Sequence, residues 1–371
     1  MRISLKKKSL GKKVLLSVIA AGVMSGFVLQ PQVFAADQVY NEPVKMEKIE
    51  LYDTNMELNA GGTVSGKKEE HADVAAKVGE NSTLKATGVA FTGEISVQDG
   101  GQVTLNGGSV TSGKQYMDEG VLVANTFTEI GVTDGGSLVT ANNVKLDTNL
   151  GAFDGGQIVI NNSNINAIHG IYVAGINTHD VVEPTVAMIT LNGSGNNTYT
   201  VGEFFEANDG GILKIHGGGT IDVNGNRIRA LNGADLEIDS GNNTTNIDGR
   251  IFVINSSLYV NGKLNVFSDT LENSFEIRGG TEAVFDSNAD ITCGEVDVVM
   301  ADGDGAAPTL TIEKGAKLTT NYICVGGEGA KIVSNGTINT AYINAYYGGE
   351  MTINGGLVDC SLPWVVAMAV L

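Results

Sequence analysis

One short motif returns along this chain: a turn, an apolar alternation of period two, then another turn. It is written Asp99-Gly100-Gly101-Gln102-Val103-Thr104-Leu105-Asn106-Gly107-Gly108. It recurs from Asp134-Gly135-Gly136, Asp154-Gly155-Gly156, Asp209-Gly210-Gly211 and Tyr347-Gly348-Gly349. Looser copies start at Asn232-Gly233-Ala234 and Asn255-Ser256-Ser257. A repeat this short cannot bury its own apolar face, so its neighbours must cover it. The motif therefore predicts an all-β chain: a parallel β-helix, or β-solenoid, of about a dozen coils and about 55 Å long at the spacing of paired strands.

The period is clearest near the C-terminus, where Leu318–Val325 is answered by Ile338–Ala345 at a step of 20 residues. Upstream, 35 residues separate Asp99 from Asp134 and 55 separate Asp154 from Asp209. Those gaps predict longer coils with inserted loops, placed at Gln115–Thr128 and Gly170–Pro184. Alternation turns Val103 and Leu105, and Ile158 and Ile160, to the inner face. Gly and Asn mark the corners because corners need positive φ. Asn162, Asn242, Asn243 and Asn261 are expected to stack as ladders of side chains. Residues 36–85, with the charged run Lys67-Lys68-Glu69-Glu70-His71, are expected to form an irregular N-terminal cap region. The solenoid is expected over 86–371, ending in mid-coil with Trp364 in an apolar tail.

The first 35 residues read as a separate object, a secretory signal peptide. Met1–Lys13 carries Arg2, Lys6, Lys7, Lys8, Lys12 and Lys13 and no acid, and Val14–Leu29 is almost wholly apolar. Val33-Phe34-Ala35 then supplies a cleavage site, with the cut between Ala35 and Ala36. Six of the 23 basic residues and none of the 42 acidic ones would leave with it, so the mature chain carries 17 against 42, a net −25. Such a surface repels nucleic acid and anionic membrane. No second long apolar segment predicts a transmembrane helix in the mature chain.

The cysteines are Cys293, Cys324 and Cys360. Aligning Ile291, Leu318 and Ile338 puts Cys293 in the column of Thr320 and Thr340, with Cys360 in that column about three coils on. Cys324 lies about four positions along the strand, about 13 Å aside. A disulfide needs Cα atoms within about 7 Å, so three free thiols are expected.

No catalytic constellation emerges. No Ser is flanked by Gly on both sides at the spacing of a nucleophile elbow, and there is no His-Glu-x-x-His or Gly-Lys-Ser/Thr signature. The histidines are His71, His169, His179 and His216. His169 and His179 are close enough in sequence to meet across a loop, but zinc takes three or four ligands. Asp99, Asp134, Asp154 and Asp209 all precede Gly-Gly. They read as turn residues bonding their own backbone, with a corner row collecting Ca²⁺ as the alternative. Asp222-Val223-Asn224-Gly225-Asn226 resembles the start of an EF-hand loop without its later ligands, and Asp302-Gly303-Asp304-Gly305 reads as a flexible polar insertion. No catalytic residue, metal ligand or cofactor is predicted.

A Lys-rich leader followed by Asp-Gly-Gly-x-(Val/Leu/Ile)-x-(Val/Leu/Ile) coils resembles the passenger region of a bacterial autotransporter, or a related β-helical adhesin, over about residues 86–371. The resemblance implies export to the cell surface through an outer-membrane β-barrel. No barrel strands follow Leu371, where this sequence stops. The expectation is a truncated passenger or a barrel on another chain. The function expected is that of a non-enzymatic surface protein displaying loops to a host or bacterial ligand, protein or glycan. The alternative is a β-helical polysaccharide lyase or glycoside hydrolase. It requires acids converging with a Lys or Arg such as Arg227, Arg229 or Arg250 in one groove.

Overall fold

The computed structural model describes residues 32–34, 37–69, 72–114, 129–175, 186–267, 274–301, 303–361 and 365–367. Each coil lays one strand on each of three parallel sheets. Sheet I contains Asn149–Phe153, Gly170–Ala174 and Phe204–Asn208; sheet II contains Gln157–Asn161, Met188–Asn192 and Ile212–His216; sheet III contains Asn164–Ala167 and Thr198–Val201. Within these sheets strands of successive coils pair in parallel: Leu150 stands beside Ile171, and Ile171 beside Phe205. Among the described residues there is no helix, and the protein is an all-β parallel solenoid of about a dozen turns, as the repeat predicts.

Period-two alternation sends one face of every strand inward. Val103, Leu105, Ile158 and Ile160 are all buried in one continuous core. Each such aliphatic side chain contributes about 2 kcal/mol on leaving water. The largest inner side chains include Tyr199, Phe91, Phe205, Phe275 and Phe285.

The Asp-Gly-Gly run explains itself at the corner between sheets I and II. Asp99 and Gly100 have φ of 52° and 79°, and the Gly101 N–H donates to the Gln98 carbonyl at 2.9 Å. Two successive left-handed residues closing such a bond make a type I′ turn, which Asp tolerates and Gly prefers. Asp154-Gly155 and Asp209-Gly210 repeat it. The second glycine answers a different need. A Cβ at Gly101 would sit 2.3 Å from the Val78 carbonyl oxygen of the preceding coil, and one at Gly156 equally close to that of Val132.

The ladder also runs through the region expected to form an irregular cap. Leu51 stacks beside Val78, Met56 beside Leu84 and Val64 beside Phe91. These strands have four residues each, too short to display an alternation in sequence. Irregularity there consists of Lys67–Lys68, whose pairing with Val74 and Asp73 is the one antiparallel contact among the described residues, and a register shift beside Ala75, where Glu94 pairs with Val74 but Ile95 with Ala76. Gly170–Ala174, expected within a loop, is a full strand of sheet I. The loop positions 115–128 and 176–185 lie outside the described residues, as do the cleavage residues Ala35 and Ala36, and Glu70, His71, His179, Asp302 and Trp364.

An asparagine ladder exists, one residue away from where it was expected. Asn142 donates to Asn106, Asn161 to Asn142 and Asn192 to Asn161, at 2.9, 2.8 and 2.8 Å. Asn162 instead turns the corner with φ of 48°. Asn243 donates to the Gly217 carbonyl and Asn261 to Asp239. The cysteine column holds: Cys293 pairs with Thr320, Thr320 with Thr340 and Thr340 with Cys360, and none of the three cysteines forms a disulfide. Burial pushes the Cys293 and Cys324 thiols up to about 12.

Candidate functional site

Sheet I differs from its two neighbours in what it turns outward. Sheet II carries the asparagine ladder, then His216 and Lys214 facing Glu237 at 3.0 Å each. Sheet I carries arginines, aromatic rings and acids. In sequence, residues 115–128 precede its strand Glu129–Thr133 and residues 176–185 follow its strand Gly170–Ala174.

The centre of sheet I brings together the three arginines whose placement sequence alone left open. Asn224 and Gly225, with φ of 50° and 75°, turn the chain out of sheet III and start Arg227 on sheet I. The Asn224 N–H donates to the Asp222 carboxylate at 2.8 Å, so the EF-hand-like run is a corner turn. Arg227 then stands beside Arg250, and Arg229 between Glu206 and Phe252. The Arg227 guanidinium lies 5.2 Å over the Phe252 ring and that of Arg229 lies 5.7 Å from the Phe204 ring. Arg229 Nη2 reaches Glu206 Oε2 at 2.8 Å. Burial pushes the Glu206 carboxyl above its ordinary range, while Arg229 pulls it back. Phe204 remains 42% exposed. Between these side chains runs a groove of about 450 Å³, lined by Phe204 and Phe252, by Arg227, Arg229 and Arg250, and by Asn226 and Glu203.

One coil further on, Arg278 grips Asp304 through two bonds, Nε to Oδ2 at 3.2 Å and Nη2 to Oδ1 at 2.9 Å. The same carboxylate takes the Ala301 N–H at 2.9 Å. Asp304 is thus pinned and buried, where the sequence suggested a flexible polar insertion.

A second cluster lies toward the N-terminal end of sheet I. Glu94 and Glu129 each precede a residue of the paired couple Ile95 and Ile130. The Glu129 carboxylate lies over the bare backbones of Gly131 and Gly151, where a Cβ would come within 3.3 and 2.8 Å of its oxygens. Burial pushes Glu129 up to about 8, with Glu94 adding to it, and burial also raises Glu94 against the pull of Lys77. Sequence reasoning missed this pair, because neither glutamate sits in a motif.

The Asp-Gly-Gly aspartates occupy their turns, and among the described residues no three His, Cys, Asp or Glu side chains converge to hold a metal. His169 faces Glu203 across 3.5 Å. Among the described residues no helix is long and apolar enough to cross a membrane. No family model, no curated protein and no solved structure matches this chain.

Proposed function

We propose that this is an exported, non-catalytic surface protein, of the kind that autotransporter passengers and β-helical adhesins represent, whose sheet I contacts a ligand on a host or bacterial surface. One observation supports the reading above the others. The outer face of sheet I gathers arginines and a partly exposed ring into a groove. A solenoid offers such a face at low cost, since each coil contacts only its neighbours and outward side chains are free to vary. Delivery through an outer-membrane β-barrel, carried by this chain's natural continuation or by another chain, belongs to the same proposal. The test is surface display: the full chain with its leader is expressed in a Gram-negative host, and intact cells are probed with antibody. Labelled protein is then applied to host and bacterial cells. Display and saturable binding are expected; protein confined to the cytoplasm, or no binding, overturns the reading.

Glu94 and Glu129 favour a second reading, a polysaccharide lyase or glycoside hydrolase. A carboxyl that holds its proton at neutral pH beside a second carboxyl, itself near Lys77, has the makings of a general acid. Incubation with acidic and neutral glycans decides between the readings. New reducing ends or unsaturated products that vanish in E129Q establish the enzyme; their absence leaves binding.

A further inference from the structure

We infer that the groove over Phe204 and Phe252 binds a carboxylated sugar residue of an acidic glycan, its ring against Phe204 and its carboxylate on the guanidinium groups of Arg227, Arg229 and Arg250. The inference rests on the display reading and names its ligand class.

Arginine usage is the first argument. The chain has five arginines, and apart from Arg2 in the leader all lie between 227 and 278. Every other basic residue is lysine. A solvated surface cation can be either type, but the planar fork of arginine is suited to bidentate contact with a carboxylate. Arg227 and Arg250 also stand directly beside each other in the ladder. Like charges at such positions repel, and the pair concentrates positive charge at one point of the groove.

The geometry favours a sugar over a peptide. The backbone groups beneath this face are consumed by the ladder between strands 204–208, 227–231 and 250–254. An extended peptide recognised through main-chain bonds needs an open sheet edge, which a solenoid's flank does not offer. Recognition must come from side chains alone, and those present are guanidinium forks, the Asn226 amide, two aromatic rings and the Glu203 carboxylate, so three cations face one acid across the groove. Arg229 spends one contact on Glu206 and Arg227 one on Glu276 at 3.1 Å, leaving other N–H donors for a ligand. The aromatic floors hold both guanidinium planes in place, so little side-chain freedom is lost on binding.

The test is calorimetric titration of the full protein with a short unsubstituted oligouronide, with its methyl ester, and with an oligo-aspartate peptide. The oligouronide should bind saturably, and the ester about tenfold or more weaker, the worth of one charge-assisted contact. F204A should weaken binding about threefold or more, and R250K, which keeps the charge but loses the fork, about tenfold. Phe204 is exposed enough for its removal to leave the fold intact, which circular dichroism checks for both variants. No saturable binding, equal affinity for acid and ester, or equal affinity for oligo-aspartate each overturns the inference. If F204A and R250K still bind cells as the unmodified protein does, this ligand assignment falls while the display reading stands. Failure of the unmodified protein to bind any cell overturns display but leaves the oligouronide titration to be judged by itself.

Discussion

Arg227 reaches across two rungs of sheet I to Glu276, its Nη1 lying 3.1 Å from Oε2 after passing over the Phe252 ring. The intervening strand belongs to Arg250, so one salt bridge spans three coils of the solenoid. Most stabilising contacts in a solenoid join adjacent coils only. This one fastens the floor of the groove from above.

The bridge is still partly solvated, with Arg227 38% exposed. Removing its charge by E276Q should therefore cost only about 0.5 kcal/mol. R227A removes the aliphatic stem and the ring contact as well and should cost about 1 kcal/mol more. Urea midpoints of the two variants check this ordering; E276Q more harmful than R227A would contradict it.

Glycines at two different corners should fail differently. In G156A the new methyl meets the Val132 carbonyl oxygen at 2.3 Å, and backbone must move. A cost of about 3 kcal/mol is expected. In G225A the methyl enters open space, and only the left-handed φ of 75° is penalised, by about 1 kcal/mol. Comparable urea midpoints for both would show that the coils are not in the close contact described here.

Much of this architecture was legible because short-range chemistry and long-range stacking repeat together. The Cys293–Thr320–Thr340–Cys360 column follows from counting alone, since those coils share one register. The asparagine ladder slipped by one because a period-two strand reverses its facing with each residue, and Asn161 and Asn162 differ only in which side of the corner they occupy. The groove was not legible. Arg227 and Arg250 meet only after the register shifts between Asp222 and Arg227, a break that coil counting does not reveal. Glu94 and Glu129 stayed hidden because their pairing crosses the long segment between Thr111 and Glu129, where the repeat loses its step.

The asparagine ladder gives a graded test. Asn161 both donates to Asn142 and accepts from Asn192, while Asn106, within the ladder, accepts one bond only. N161A should cost about 2 kcal/mol and N106A about 1 kcal/mol, since each lost bond leaves a partner unsatisfied at a half-buried corner. Equal midpoint shifts would mean that the amides contribute nothing as a chain.

Glu129 makes stability depend on pH in the direction opposite to an ordinary paired carboxylate. Folded, its carboxyl titrates near 8; unfolded, it returns to the ordinary value of 4.5. Between those values the folded chain holds a proton that the unfolded chain has released, so stability is fully present below the lower value and declines as pH rises toward the upper one. Glu94, raised by the same burial, adds a slope of the same sign. E129Q replaces the carboxyl by a neutral group of the same shape, and the folded chain then has no proton to lose there. Thermal melts across that window should show the unmodified protein losing stability toward alkaline pH and E129Q losing distinctly less, with the other carboxyls raised by burial, Glu94, Glu206 and Asp297, supplying the remainder. If E129Q follows the same curve as the unmodified protein, the Glu129 carboxylate is solvated in the folded state, and the case for a proton-holding acid on sheet I goes with it.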